Sequence, residues 1–351
     1  MEVGTTLRFG RRAVVAAIGA ALLASTATVA LAQNADVQIG FTPKFLKDDF
    51  QTLMLELSLQ AFADKGFTVV GSPDPNGDIS AQVDTLQNLL ANGANVIVFA
   101  PLDAAGIVPA VERANEAGAL VFSINDSPAG GQVTATVRAD NLDAGVQGAT
   151  EMVARLQNDA CWADNSCVVL ELQGSLTTPN GLDRSEGFST TLAELAPEVE
   201  LIQRPTEWTA DMAADAAQNV LTQYPELDGI FMASELMATA INAQLKSAGR
   251  DTPVGDAASV IRVAIDGTPQ GLQLIRENAL DATVSQPLSA YATKTAELIE
   301  LVSNGGTIEI GPRDDGQVIE TPVGPQYQLK ATLVTMDNVD SPDLWANQLN
   351  N

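Results

Sequence analysis

Short β-branched runs alternate with segments of helical period from residue 37 onward, and after about residue 140 the series starts again. "VQIGF" (37–41), "FTVV" (67–70), "VIVFA" (96–100), "LVFSI" (120–124) and "VTATVR" (133–138) read as strands. Helices are expected between them: from about Asp49 to Lys65, from an Asp78 cap through Ile79, Val83, Leu86, Leu89 and Leu90, and from about Ala104 to Gly118. The second series sets strands at 167–172, 199–204, 229–233, 260–266 and 282–286 among helices at 141–155, from about Arg184, 211–223, 237–248 and 269–278. A further helix (289–304) precedes a Gly/Pro-rich tail with one more strand, "LKATLVT" (329–335). Nearly continuous apolar strands separated by amphipathic helices require a parallel sheet covered on both faces. The fold class is therefore α/β, with two doubly wound parallel-sheet domains. Such sheets bind at the C-terminal ends of their strands, so two facing sheets define a cleft.

The first residues point to export. Arg8, Arg11 and Arg12 precede an uncharged run from Ala13 to Ala32 that ends in "ALA". This is the charged, apolar and small-residue order of a signal peptide, with cleavage expected after Ala32. The run is too rich in Ala, Gly, Ser and Thr for a good bilayer span. No cysteine follows the cleavage site, so no lipid anchor is expected. Removing 32 of 351 residues leaves 319, with 15 basic against 43 acidic side chains and a net charge of −28. A chain so acidic repels nucleic acid, whose binding needs cations against phosphate. Cys161 and Cys167 in "CWADNSC" are a close pair, and in an exported protein they read as a disulfide.

Enzymatic machinery is hard to assemble from these residues. The chain has no histidine, which excludes Ser-His-Asp and Cys-His catalysis and the usual zinc sites. "SPDPNGD" fails as a calcium loop, because its twelfth place is Val83 instead of glutamate. No cofactor is expected. What remains at the strand ends is a set of planar polar side chains with a few aromatics. After the first-unit strands come Lys44, Asp48, Phe50, Gln51, Asn125 and Asp126; after the second-unit strands come Arg184, Trp208, Ser234, Asp266 and Gln286. Asp, Asn, Gln and Arg present several donors or acceptors in one plane, suited to vicinal hydroxyls, and an aromatic ring suits the C–H face of a sugar. A missing or inverted hydroxyl would leave a buried group unpaired, at a cost of about 1–3 kcal/mol.

In that order, "IGFTPKFLKDDF", "LVFSINDS", "VRADN", "LELQG" with "LDRSEGF", "PTEW", "IFMASELMA", "IDGTP" and "DATVSQP" resemble the periplasmic sugar-binding proteins of ABC importers, in the group of the ribose-binding protein. The resemblance covers the whole chain after Ala32, and "DRSEGF" and "IDGTP" are its more specific parts. It implies two lobes joined by three crossing segments, near Asp140-Asn141, Gln286-Pro287 and Tyr327–Leu329. The first lobe would hold 33–140 and 287–327, and the second 141–286 and 328–351. It further implies that Arg184 and Asp266 grip hydroxyls, that Gln286 touches ligand at the hinge, and that Phe50 and Trp208 sandwich it. Glu235 and Asp140 are expected to support the hinge.

The departures from the group matter. Asn125 stands where the group commonly has a sugar-gripping aspartate, and Asp126 where ribose binders carry an arginine. Ser234 replaces an asparagine and Gln51 a second phenylalanine, which argues against ribose itself. Lys44 in "TPK" resembles the start of autoinducer-2 and rhamnose binders. It is open to two roles, ligand contact or a salt bridge to Asp48 or Asp126. The expected role is a periplasmic, non-enzymatic, monomeric receptor that captures a monosaccharide or polyol by hinge closure and delivers it to a membrane ABC permease. A chemoreceptor is a further partner that no sequence feature tests. The alternatives are a receptor for an autoinducer-2-like or sugar-acid signal and, in a different class, a secreted carbohydrate-active enzyme.

Overall fold

The computed structural model describes residues 36–256 and 258–349, together with Met1. Apart from Met1, the expected signal peptide lies outside them. Two sheets organise the chain. The first contains β1 (Gln38–Thr42), β2 (Thr68–Gly71), β3 (Val96–Phe99), β4 (Leu120–Ile124) and β5 (Ala135–Ala139), extended by β11 (Gly311–Arg313), β12 (Gly316–Thr321) and β13 (Gly324–Leu329). Its order is β11-β12-β13-β5-β4-β3-β1-β2. The second contains β6 (Val168–Gln173), β7 (Glu200–Pro205), β8 (Gly229–Met232), β9 (Ile261–Asp266), β10 (Ala282–Ser285) and β14 (Thr332–Val334), in the order β14-β10-β9-β8-β6-β7. The chain thus passes from one sheet to the other three times: after Ala139, after Ser285 and after Leu329.

The strands are parallel except in the last part of the chain. There β11, β12 and β13 form an antiparallel meander whose last strand pairs in parallel with β5, and β14 pairs antiparallel with β10. The Gly/Pro-rich stretch carries three strands where one strand was expected, further on. It lacks a clean period of two; only β13 pairs with β5, while β11 and β12 pair within the meander.

Helices α1 (Asp49–Asp64), α2 (Ile79–Ala91), α3 (Val108–Glu116) and α10 (Leu288–Ser303) accompany the first sheet. Helices α4 (Asn141–Leu156), α5 (Ala160–Asp164), α6 (Pro179–Leu195), α7 (Ala210–Gln223), α8 (Ala238–Ser247) and α9 (Pro269–Arg276) accompany the second, and α11 (Trp345–Gln348) ends the described chain. Local chemistry sets many of their ends. Asp48 and Asp78 cap α1 and α2 by accepting from Gln51 N and Ala81 N, and Gly66 at φ +74° closes α1. The core is aromatic and aliphatic, with Phe41, Phe62, Phe99 and Phe122 fully buried, each worth about 1.5–3 kcal/mol on transfer from water.

Two expectations about α2 and α6 change. Gln82, on the face assigned to apolar side chains, is fully buried, while Ile79 and Val83 are half-buried. The Gln82 amide ties three loop groups together, donating to Pro43 O and Ala100 O at 2.9 and 2.8 Å and accepting from Leu102 N at 3.0 Å. Helix α6 starts at Pro179, five residues before the expected Arg184. Proline suits that first position, since its missing N–H has no partner to lose there.

The closest helix pair is α4 with α6. A Cβ on Gly145 would lie 2.3 Å from Arg184 O, and one on Gly187 would lie 2.1 Å from Leu142 O. Backbone meets backbone here because neither glycine has a side chain. The contact fixes α6 against the segment that enters from the first sheet. Cys161 and Cys167 are joined by a disulfide that closes the turn between α5 and β6.

Candidate functional site

A cavity of about 50 Å³ lies between the two sheets, where the C-terminal ends of their strands face each other. Ten of the eleven residues expected from sequence line it: Lys44, Asp48, Phe50, Gln51, Asn125, Arg184, Trp208, Ser234, Asp266 and Gln286. Asp126 sits behind that wall, fully buried, and pairs with Lys44 Nζ at 2.9 Å. The open question about Lys44 is thereby answered on one side: it makes the salt bridge to Asp126 and also faces the cavity.

On the first-lobe side, the loop after β1 carries Lys44 and ends in Asp48. The Asp48 carboxylate accepts from Gln51 N at 2.7 Å, and burial pushes its pKa up to about 6 against that hydrogen bond. Gln51, one turn into α1, donates to Asn125 Oδ1 at 3.3 Å, and its own Oε1 has no partner among the described residues. Asn125 follows β4 with φ +69°, a conformation asparagine tolerates better than most residues.

On the second-lobe side the polar groups form a closed network. Arg184 donates from Nε to Asn141 Oδ1 at 2.7 Å and from Nη1 to Ala233 O at 2.6 Å, with Asp266 Oδ1 at 3.5 Å. Asp266 accepts from Ser234 Oγ (2.6 Å), Glu235 N (3.2 Å) and Gln286 Nε2 (2.6 Å). Burial raises its pKa, opposed by the Arg184 guanidinium and these donors. Gln286 Oε1 accepts in turn from the Tyr291 hydroxyl at 2.7 Å. Beneath the network, buried Glu235 accepts from Gly267 N at 2.9 Å and from Thr268 N at 2.8 Å, and also from Thr283 Oγ1; burial lifts its pKa to about 7. It fixes the turn after β9, in which Asp266 itself has φ +147°. Trp208, at φ +57°, lays its ring against Gly174, where any Cβ would clash, and the Arg184 guanidinium carbon sits 5.5 Å from the ring centroid. Three wall residues therefore hold positive φ, and strain of this kind is kept only where surrounding bonds over-determine the chain.

Asn180, Phe45 and Leu236 also line the cavity and were not expected. Asn180 lies four residues before Arg184, on the same face of α6, so the late helix start hid it. It is the main link between the lobes. Its side chain donates to Asn125 O at 2.9 Å and accepts from Arg138 Nη2 and Asn141 Nδ2 at 2.8 and 3.0 Å, while its N–H reaches Asp126 Oδ1 at 3.2 Å. Arg138 also pairs with Asp183 at 2.6 Å, and Ala104 N reaches Thr177 O at 3.4 Å. These bonds hold the lobes together over the cavity. Cys161, Cys167 and Asp228 cluster closely enough for a metal, but the two sulfurs are bonded to each other.

Two open α/β sheets facing one polar cavity, with the chain crossing three times beside it, define a two-lobed ligand receptor. The chain belongs to the periplasmic binding protein family: residues 39–307 match the periplasmic binding protein domain. It is 26% identical over 288 residues to the ribose import binding protein of Salmonella typhimurium, covering 82% of this chain and 92% of that one. Among solved structures, a galactofuranose binding protein superposes with a TM-score of 0.75 at 19% identity, over 89% of this chain and 99% of that one. An ABC transporter solute binding protein from Bacillus halodurans with bound myo-inositol gives 0.73 at 23% identity, over 88% and 98%. The chain thus shares its two-lobed fold with these solved structures and belongs with the periplasmic binding proteins.

Proposed function

We propose that this protein is the substrate-binding component of an ABC importer, exported by its signal peptide, that closes its two lobes on a neutral monosaccharide or polyol and presents it to a membrane permease. The observation that carries the reading is the buried Arg184–Asp266–Gln286–Ser234 network on one wall, facing Lys44, Gln51 and Asn125 on the other. Planar donors and acceptors held rigid before the ligand arrives lose little freedom on binding it. Ribose and myo-inositol, named for the relatives above, belong to the same polyhydroxylated class.

Charge balance favours a neutral ligand over a sugar acid. Lys44 and Arg184 face the cavity together with Asp48 and Asp266, and Asp126 backs Lys44 directly, so no cation is left over for a carboxylate. The test is a thermal-shift screen of D-ribose, D-allose, myo-inositol, xylitol and D-gluconate, followed by calorimetry. A neutral compound at 100 times its Kd stabilises by about 2.7 kcal/mol, which is readily seen as a shift in melting temperature. Stabilisation by gluconate alone would overturn the neutral-ligand reading. Consumption of any of these compounds by purified protein would overturn the receptor reading.

A further inference from the structure

We infer that Trp345, in the C-terminal tail, is a positioning residue of the cleft: it clamps the cavity-lining Phe50 when the lobes are closed, and so adds to ligand affinity without touching ligand. The inference rests on the receptor reading above.

The tail is tied to the second lobe. It leaves β14 through a turn in which Thr335 N donates to Asn338 Oδ1 at 2.8 Å. Arg276, the last residue of α9, then donates to Asp340 Oδ1 at 2.8 Å, to Val339 O at 3.1 Å and to Asn347 Oδ1 at 2.9 Å. Asn347 folds the tail onto itself by donating to Val339 O and Ser341 O, both at 2.9 Å. Leu344, Trp345 and Ala346 are buried in consequence.

Its far end reaches the first lobe. The Trp345 ring meets the Phe50 ring edge-on, with centroids 6.3 Å apart and an interplanar angle of 84°. Phe50 meets Tyr291 of α10 in the same way, at 6.5 Å and 78°. Phe50 therefore stands between one ring carried by its own lobe and one carried by a segment anchored to the other. Trp345 Nε1 is buried with no partner among the described residues, so the indole is held by its ring surfaces and not by a hydrogen bond.

Lobe opening about the hinge would carry Phe50 and Tyr291 together and leave Trp345 with α9. The Phe50–Trp345 contact is then specific to the closed arrangement, the one a bridging ligand selects. A contact made in only one of two states shifts their populations, and the apparent affinity follows the competent fraction. An edge-to-face aromatic pair of ordinary strength corresponds to a change of about fivefold in that equilibrium.

The experiment uses the full mature chain as wild type, Trp345→Ala, Trp345→Phe, Phe50→Ala and the Trp345→Ala/Phe50→Ala double variant. Small-angle scattering without added sugar is expected to show Trp345→Ala shifted towards a more open form and Trp345→Phe close to wild type. Calorimetry, with whichever of D-ribose, D-allose, myo-inositol and xylitol most stabilises the wild type, is expected to show about threefold weaker binding for Trp345→Ala and recovery in Trp345→Phe. In the Phe50→Ala background the tail substitution should cost almost nothing, because its action runs through that ring. If Trp345→Ala does not fold, Arg276→Gln loosens the same tail with the aromatic rings intact, and it should move scattering and affinity in the same direction. Unchanged scattering and affinity in the tail variants, or an equal loss with and without Phe50, would overturn the inference. If none of the four compounds binds the wild type, the neutral-ligand reading fails on its own, and scattering still decides the role of the tail.

Discussion

The two walls of the cavity are built differently. On the second-lobe wall, Asp266 is ringed by donors from Ser234, Glu235 and Gln286, and Arg184 is held by Asn141 and Ala233. On the first-lobe wall there is a single buried ion pair, Lys44 with Asp126, beside a Gln51–Asn125 contact at 3.3 Å that leaves Gln51 Oε1 without a partner. One wall is a rigid template whose hydrogen-bonding capacity is largely filled by protein. The other retains unfilled capacity. On the receptor reading proposed above, rigidity on one side would supply affinity through preorganisation, and the looser side would carry the choice between polyols.

The sharpest way to break this contrast is at Arg184. Arg184→Ala leaves Asp266 buried without its cation and is expected to destabilise the fold by about 3–5 kcal/mol, with binding lost beyond calorimetric detection. Arg184→Lys keeps the charge but not the planar fork, so it should retain most of the stability and still bind at least 100-fold more weakly. Near-normal binding by Arg184→Lys would remove the template argument. The first-lobe wall should respond in the opposite pattern. Lys44→Met alone strands buried Asp126 and should cost about 3 kcal/mol, while adding Asp126→Leu should restore much of the melting temperature, because a buried pair is close to neutral against apolar residues of similar size. The pair of variants should alter the ranking of sugars more than the affinity for the best one.

The smallest expected effect is a pH dependence rooted in the second lobe. Burial raises the pKa of Glu171 to about 7, opposed by hydrogen bonding from Ser185 and from Gln203, whose Nε2 donates to Oε2 at 2.9 Å. A carboxyl that holds its proton more tightly folded than unfolded stabilises the fold below its ordinary pKa of about 4.5, and that contribution is lost as pH rises through 7. Glu171→Gln mimics the protonated form. It should raise the melting temperature at pH 8 by a few degrees and leave it nearly unchanged at pH 5. An equal shift at both pH values would show that the side chain acts through packing and not through its charge.

Much of this was legible in the chain itself. Alternating strands and helices carry both sheets, because burial on both faces demands apolar runs of fixed length. The strand-end rule alone puts Lys44, Asn125, Ser234, Asp266 and Gln286 on one cleft, and all five line the cavity. What escaped depends on distant partners. Asn180 was hidden by a helix start placed too late, although Thr178-Pro179 marked the true one. The β11–β13 meander draws its definition from the edge of β5. The clamping of Phe50 by Trp345 joins opposite ends of the chain, which no local pattern can announce. The ring face of Trp208, expected to cover a sugar, is partly engaged by Arg184, which comes from α6 while Trp208 lies in the turn after β7.

The bare meeting of α4 and α6 has a mechanical corollary. Gly145 presses on the carbonyl of the same arginine whose Nε is held by Asn141, the first residue of α4 and part of the crossover itself. With no side chain between them to act as a cushion, the pivot and the guanidinium would turn as one lever if the lobes move, and a twist at the joint would then arrive undamped where a guest is grasped. Adapting such a receptor to another guest would therefore proceed on the opposite jaw, where residues can change without unsettling the axle.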